Sequence, residues 1–415
     1  MPAKAFAPLV LYSFVVLGLP DGTIGTAWPV LRKGFGAPLA DLGVALLIGT
    51  AGSVLSSSVA GVAFARLGAR ATIMLAGVAG ALGGLGVALS PSFWAFAGSC
   101  AFLGVAAGLL DSTVNTTVTM TGRNRLLNMV HGSYGVGTTV APLVVTAAVL
   151  AGSWRGSYGV IVAAEALMVT AWWAVGRLRH PGPPVAGQED GGNSPGPVPA
   201  GAPAGGPEGA LAVNAPSATA QALGGDGRRP PQVAVVVGLG LAVFMVYTGF
   251  EASAGQWSPS FDRSVMHMGA GTTGLVTFGY WGALTAARFA LAVPRRPVPP
   301  GSVVRWGCIA ALVGAVFIWW RPAAVLAPVG LVVVGAALAG VFPALIALTP
   351  KRVGEGRAHH VIGWQIGAAG LGGSAISALF GVIFQRYGLG ELGPALVAVA
   401  GLLIAGSFAL EKVAP

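Results

Sequence analysis

The sequence predicts an all-α integral membrane protein, with 12 transmembrane helices arranged as two pseudo-symmetric six-helix bundles. Three observations carry this. Twelve apolar stretches are each long enough to cross a bilayer as a helix, which takes about 20 residues. A polar stretch near 180–231 divides them six and six. Charged residues make up 9% of the chain and hydrophobic ones 54%, whereas a soluble domain carries roughly 25% charged residues. Such a chain has lipid for its solvent, and its 66 Gly suit close helix packing there.

In chain order, the expected spans are 7–31, 41–65, 71–90, 92–119, 127–152 and 155–176, then 232–258, 270–292, 302–320, 322–348, 358–384 and 392–410. Pro91, Pro231 and Pro322 sit where a helix can begin, a position that tolerates proline. The expected domains are an N-terminal bundle over 1–180, a linker over 181–231 and a C-terminal bundle over 232–415. The linker is rich in Gly, Pro and Ala, has no apolar periodicity, and reads as a disordered cytoplasmic tether.

Placing the N-terminus inside assigns 17 Lys and Arg to inner segments and 6 to outer ones. This positive-inside bias predicts cytoplasmic N- and C-termini and linker, in a multi-pass protein of the plasma membrane. The net charge of +10 is spread over short loops rather than gathered in one basic patch, so nucleic acid is not an expected partner. Cys100 and Cys308 fall in or beside apolar spans and read as small packing residues. The first apolar stretch is too long for a signal peptide and contains Asp21.

The two halves echo each other. Asp21, Gly25 and Pro29 of span 1 correspond to Glu251, Gly255 and Pro259 of span 7. Trp28 and Trp257 are one position out of register. Gly135 and Gly137 of span 5 correspond to Gly370 and Gly372 of span 11. Matches at corresponding places point to an internal duplication, with a cavity between the halves near mid-membrane.

Ionisable groups inside a membrane are costly, so each is a functional candidate. The acids are Asp21, Asp111, Glu165 and Glu251. A carboxyl that can be neutral or charged is a natural carrier of a proton, because its charge change can be tied to the side the cavity faces. Asp111 leads for proton coupling, with Asp21 second. Asn115 lies four residues after Asp111 and shares its helix face, and a carboxyl with an amide suits a polyhydroxy ligand. The bland alternative is a buried polar pair holding two helices together.

Asp21 shares a face with Gly25 and Trp28, and an indole offers an apolar plate with a donor edge to a sugar ring. Glu251, Gln256 and Trp257 are the counterparts in the second half. Asn128, His131 and Tyr134 form one stripe on span 5, while Trp364 and Gln365 add polar and aromatic surface on span 11. His131, near the inner end, reads as a packing or gating residue before a proton carrier. Arg288 is expected to snorkel to the interface, an ion pair with another span being the lesser reading. Glu165 has no polar company on its own helix.

No enzyme, metal or cofactor pattern is present: His359-His360 lacks the spacing of a helical metal site, and no phosphate-binding Gly-Lys-Ser/Thr loop or Gly-x-Ser-x-Gly occurs.

Outside the linker the chain resembles the major facilitator superfamily. The segment Gly61 to Arg70, with Arg66 and Gly68, is similar to that superfamily's loop after span 2, although Ala65 stands where the family usually has Asp. Gly108, Asp111 and Asn115 resemble the span 4 stretch of the fucose–proton symporter and sugar transporter group, with Thr116 where that group often has Pro. Asn128, His131 and Gly137 resemble its span 5. The resemblance implies alternating access, a proton-coupling role for Asp111, an acid in span 1 matched by Asp21, and a monomer sufficient for function. It implies proton-coupled sugar symport first, and proton-driven drug or metabolite efflux second.

Overall fold

A computed structural model describes residues 3–120, 124–177, 230–292 and 298–414. The linker expectation lies outside these residues. Among them the order is α1 (Ala3–Phe35), α2 (Asp41–Leu89), α3 (Phe93–Met120), α4 (Asn124–Leu150), α5 (Arg155–Arg177), α6 (Pro230–Ser264), α7 (Ala270–Ala292), α8 (Pro300–Trp320), α9 (Leu326–Leu338), α10 (Val341–Val353), α11 (Glu355–Tyr387) and α12 (Leu392–Val413). A single 3-10 turn, Leu389–Glu391, precedes α12.

Spans 2 and 3 run together as the 49-residue α2, interrupted at Gly68 with φ 78° and ψ 161°. That backbone conformation favours glycine, and there the chain reverses. Gly49 faces Cys100 and Gly104 of α3, and Ser57 donates to the Gly108 carbonyl at 3.3 Å, so the passage over 41–67 runs parallel to α3. Gly83 faces Leu103 and Gly86 faces Ser99, so the passage over 69–89 runs antiparallel. Just past the reversal, Arg70 donates from Nε to Trp172 O at 2.9 Å and from Nη2 to Trp173 O at 2.8 Å. These are late carbonyls of α5, where a cation both caps and complements the helix dipole. Span 10 is divided instead, into α9 and α10, by a turn at Ala339 and Gly340. With α2 counted as two passages and α9–α10 as one, the described helices make the expected 12 passages.

The packing repeats between halves. The α1–α4 contact of the first half matches the α6–α11 contact of the second. A side chain at Gly137 would run into the Val15 carbonyl at 2.0 Å, and one at Gly372 into that of Met245 at 2.3 Å. Val15 and Met245 stand in the same register as the Asp21 and Glu251 pair, so the sequence echo is an equivalence of packing. Across the halves, α4 meets α7 and α2 meets α11, again as a symmetric pair, while α1 meets α6.

The α2–α11 contact crowds one end of the molecule, whereas α4 meets α7 along its length, from Gly132 against Phe289 to Thr146 against Gly274. Leu39 N donates to Gln385 Oε1 at 2.6 Å, and Gly43 and Ala40 lie against Ala378 and Gly381. This is the end with the 36–40, 265–269 and 388–391 connections. Exposed Trp94, Trp319, Trp320 and Tyr387 ring it, as interfacial aromatics do.

Backbone approach of this kind tolerates no added side chain. A Cβ at Gly104 would lie 1.9 Å from the Gly49 carbonyl, whereas one at Gly98 meets nothing within 4 Å. Gly104→Val is therefore expected to lower the melting temperature in detergent, by overpacking worth about 1–3 kcal/mol or more. Gly98→Ala is expected to leave it within error, and equal melting of the two variants would show that α2 and α3 do not pack this closely.

Candidate functional site

The polar groups of α1, α3, α4, α6 and α7 converge between the halves. On α1, Asp21 is exposed to the interior space, just after Pro20. Its carboxylate accepts from the Tyr134 hydroxyl of α4. Its backbone carbonyl accepts from Gln256 Nε2 of α6 at 3.0 Å, a bond that joins the two halves. Gly25 lets this happen, since any side chain there would strike Gln256.

On α3, Asn115 Nδ2 donates to Asp111 Oδ1 at 3.0 Å, as the four-residue spacing predicts. Asn115 Oδ1 is buried without a hydrogen-bond partner among the described residues. His131 of α4 is exposed, stands edge-on to Phe14 at 5.7 Å, and lies within electrostatic reach of Asp111 and of Arg288.

The second half is organised around Glu251. Arg288 Nη2 of α7 pairs with Glu251 Oε2 at 3.2 Å, with side-chain exposures of 27% and 15%. Arg288 thus turns inward instead of snorkelling. The ladder of α7 points it across to α6, and one inward carboxylate offers more than the headgroup region. The Tyr247 hydroxyl contacts both Glu251 Oε2 and, at 3.0 Å, the Leu338 carbonyl. That carbonyl is the last of α9, freed from its helical partner by the break before α10. One hydroxyl hydrogen serves one acceptor at a time, so Tyr247 couples the helix break to the ion pair. Tyr280 donates to the Glu251 carbonyl at 2.6 Å. Tyr134 lies within electrostatic reach of Glu251 and Arg288, so Asp21, Tyr134, Arg288 and Glu251 form one line of polar groups across the interface.

Other sequence candidates fall elsewhere. Trp28 is fully buried against Phe93 and Phe96 inside the first bundle. Trp257, also fully buried, packs edge-on to Phe384 and donates to the Ser377 carbonyl at 3.0 Å. Neither indole presents a plate to the interior space, because each lies on the helix face turned into its own bundle. Gln365 is buried and accepts from Thr349 Oγ1 at 2.9 Å. Trp364 is 46% exposed. It lies about four turns before Ala378, hence on the α11 face that meets the first half. The side chain of Asn128 lies outside the described residues.

Sequence reasoning missed Tyr247, and held the ion pair of Arg288 only as its lesser reading. Tyr247 was findable, four residues before Glu251 on one helix face. The partner of Arg288 was not, because it belongs to another helix.

A cavity of about 230 Å³ opens beside Asp21 within the first half. Its walls come from α1, both passages of α2, α3 and α5, and include Glu165. The donor set of the whole site, carboxylates, amides, phenols and one imidazole, suits polar or charged small molecules and proton exchange. Among the described residues no group of three His, Cys, Asp or Glu could hold a metal ion.

The family model described as Major Facilitator Superfamily matches residues 10–377. Bypass of stop codon protein 6 of Saccharomyces cerevisiae is 29% identical over 147 residues, a stretch covering 35% of this chain and 30% of that protein. Among solved structures, a D-xylose–proton symporter is similar at TM-score 0.74 and 13% identity, covering 100% of this chain and 98% of that one. The nucleoside transporter NupG gives 0.66 at 16% identity, covering 99% of each chain. The human organic anion transporter TETRAN gives 0.65 at 16%, covering 99% and 100%. At these identities the likeness speaks for the fold.

Removing the positive partner of Glu251 should be costly. Breaking a buried ion pair costs about 3–5 kcal/mol, and the partial exposure here places the effect toward the lower end or below it. Arg288→Gln is expected to lower the melting temperature, and adding Glu251→Gln to restore much of the loss. A double variant no better than Arg288→Gln alone would show that the two side chains do not act as a pair.

Proposed function

The chain belongs to the major facilitator superfamily, and on that premise we propose that it is a secondary active transporter of a small polar solute, coupled to protons and working by alternating access. The observation that carries this is the line of ionisable groups between two six-helix halves, from Asp21 through Tyr134 to the Arg288–Glu251 pair. Such groups are rare in lipid and mark the paths of substrates and ions.

The proposed division is a first half of 1–180 and a second of 232–415, joined by the 181–231 linker. With termini and linker in the cytoplasm of a plasma-membrane protein, the end closed by Leu39, Gln385, Gly43 and Ala378 is the outer one. His131 and Trp364 then face the space that opens inward, an inward-facing conformation. In this reading Asp111 carries the coupled proton and Asn115 and His131 tune it. Asp21, Tyr134 and Glu251 meet the solute, and Gln256 and Gln365 hold the helices that frame it. A sugar-like cargo suits the hydroxyl-bonding carboxyl and amide of Asp111 and Asn115. Proton-driven efflux of a drug or metabolite is the second reading, favoured by the mainly apolar lining of the cavity beside Asp21. One chain encloses the whole site, so a monomer suffices.

Two measurements test this. In proteoliposomes with an internal pH dye, screened against sugars, polyols and cationic dyes, an external solute is expected to acidify the interior. Asp111→Asn is expected to abolish proton-driven accumulation of that solute and to spare its exchange. Accumulation that survives Asp111→Asn would remove the coupling role. Separately, His131→Cys is expected to react with an impermeant thiol reagent from the cytoplasmic side and not from the outside, since Cys100 and Cys308 are buried and give little background. Reaction from the outside alone would reverse the assigned orientation or state.

A further inference from the structure

The charge balance around the two matching acids, Asp21 and Glu251, is unequal. In the second half Glu251 has its own cation, Arg288, at 3.2 Å. In the first half, the cavity beside Asp21 contains two carboxyls, Asp21 and Glu165, and no Lys, Arg or His lines it. Glu165 is 4% exposed. Its Oε2 is buried without a hydrogen-bond partner among the described residues. It is not an accident of loose packing: Gly77 and Gly80 of α2 make room for its side chain, and a Cβ at Gly80 would lie 2.3 Å from Glu165 Oε1.

The groups facing Glu165 from the surrounding helices offer it no positive charge. They are Asp21 and Tyr12 from α1, Cys100 from α3 and Tyr158 from its own helix. Tyr12 spends its hydroxyl hydrogen on the Ala164 carbonyl at 3.0 Å. Two acids lining one cavity with no resident cation leave a place for a positive charge from outside. The remaining walls are mainly apolar, with Thr50, Ser53 and the Tyr158 ring as exceptions. A bare metal ion asks for a shell of oxygens that such walls do not supply. An ammonium group on a short apolar body fits both parts: the charge lies toward the carboxyls and the body against Leu17, Leu103 and Leu110.

We infer that the cavity between α1, α2, α3 and α5 is a binding site for a small organic ammonium ion, with Glu165 as its inner and Asp21 as its outer counter-charge. The inference goes beyond the transport reading, which places the proton on Asp111 and assigns Glu165 no part.

The test is a binding measurement that needs no gradient, so its failure is separate from failure of the coupling role of Asp111. Purified full-length protein is melted with increasing butylammonium chloride, against 1-butanol for the apolar body and potassium chloride for ionic strength. Butylammonium is expected to raise the melting temperature saturably, and the two controls not to. Glu165→Gln is expected to weaken the response about tenfold or more, the loss of one charge-assisted contact. Ala107→Leu, which fills the cavity and leaves both carboxyls, guards against misfolding of the first variant and is expected to abolish the response. Equal responses to butylammonium and butanol, or a butylammonium response unchanged in both variants, would overturn the site and leave its carboxyls to protons alone.

Discussion

The Arg288–Glu251 ion pair is the interaction on which the centre of this molecule depends. It joins α6 to α7 in the second half, and its tyrosine, Tyr247, reaches the carbonyl left open at the α9–α10 break. Lipid offers no water to that carbonyl or to either charge, so the protein must answer each from within. Three side chains on two helices settle the ionic and backbone needs of three elements together. Glu251 thereby meets the interface with its charge answered from within its own half. In the first half, Asp21 and Glu165 are fixed in place by Tyr134 and by paired glycines, and neither has a positive side chain beside it in the cavity.

The two halves share a frame and differ at the site. Gly137 against Val15 and Gly372 against Met245 keep the same backbone contact in both halves. Such contacts are hard to change, because a single added carbon collides with a carbonyl. The polar residues changed around that frame. Asp21 and Glu251 stand at equivalent places, yet one bonds a tyrosine from α4 and the other an arginine from α7. The two halves thus share a packing frame and differ in the chemistry they carry on it.

Much of this was legible in the sequence because it rests on local rules. Span positions follow from hydropathy, and the Asp111–Asn115 bond follows from a spacing of four on one helix. The reversal inside α2 was expected from the polar step at 66–70, and Gly68 supplies the conformation it needs. Side-chain direction was less legible. Trp28 and Asp21 were placed on one face by periodicity, but a helix of a six-helix bundle has apolar neighbours on most sides, so an indole seven residues away packs inward beside Phe96. Arg288 and Glu165 depend wholly on other helices: one finds Glu251 across the α6–α7 contact, the other finds a cavity that five passages build together. Nothing on either residue's own helix announces that partner.

The bond from Gln256 to Asp21 has a further meaning. The amide grips the main-chain carbonyl of Asp21, not its carboxylate. A clasp built on peptide dipoles has no charge to lose, so it holds with equal strength whatever the acidity on either side. The carboxylate of that same residue is bonded separately, by the Tyr134 hydroxyl. One position is therefore held from both halves at once, by α6 of the second through its carbonyl and by α4 of the first through its carboxylate.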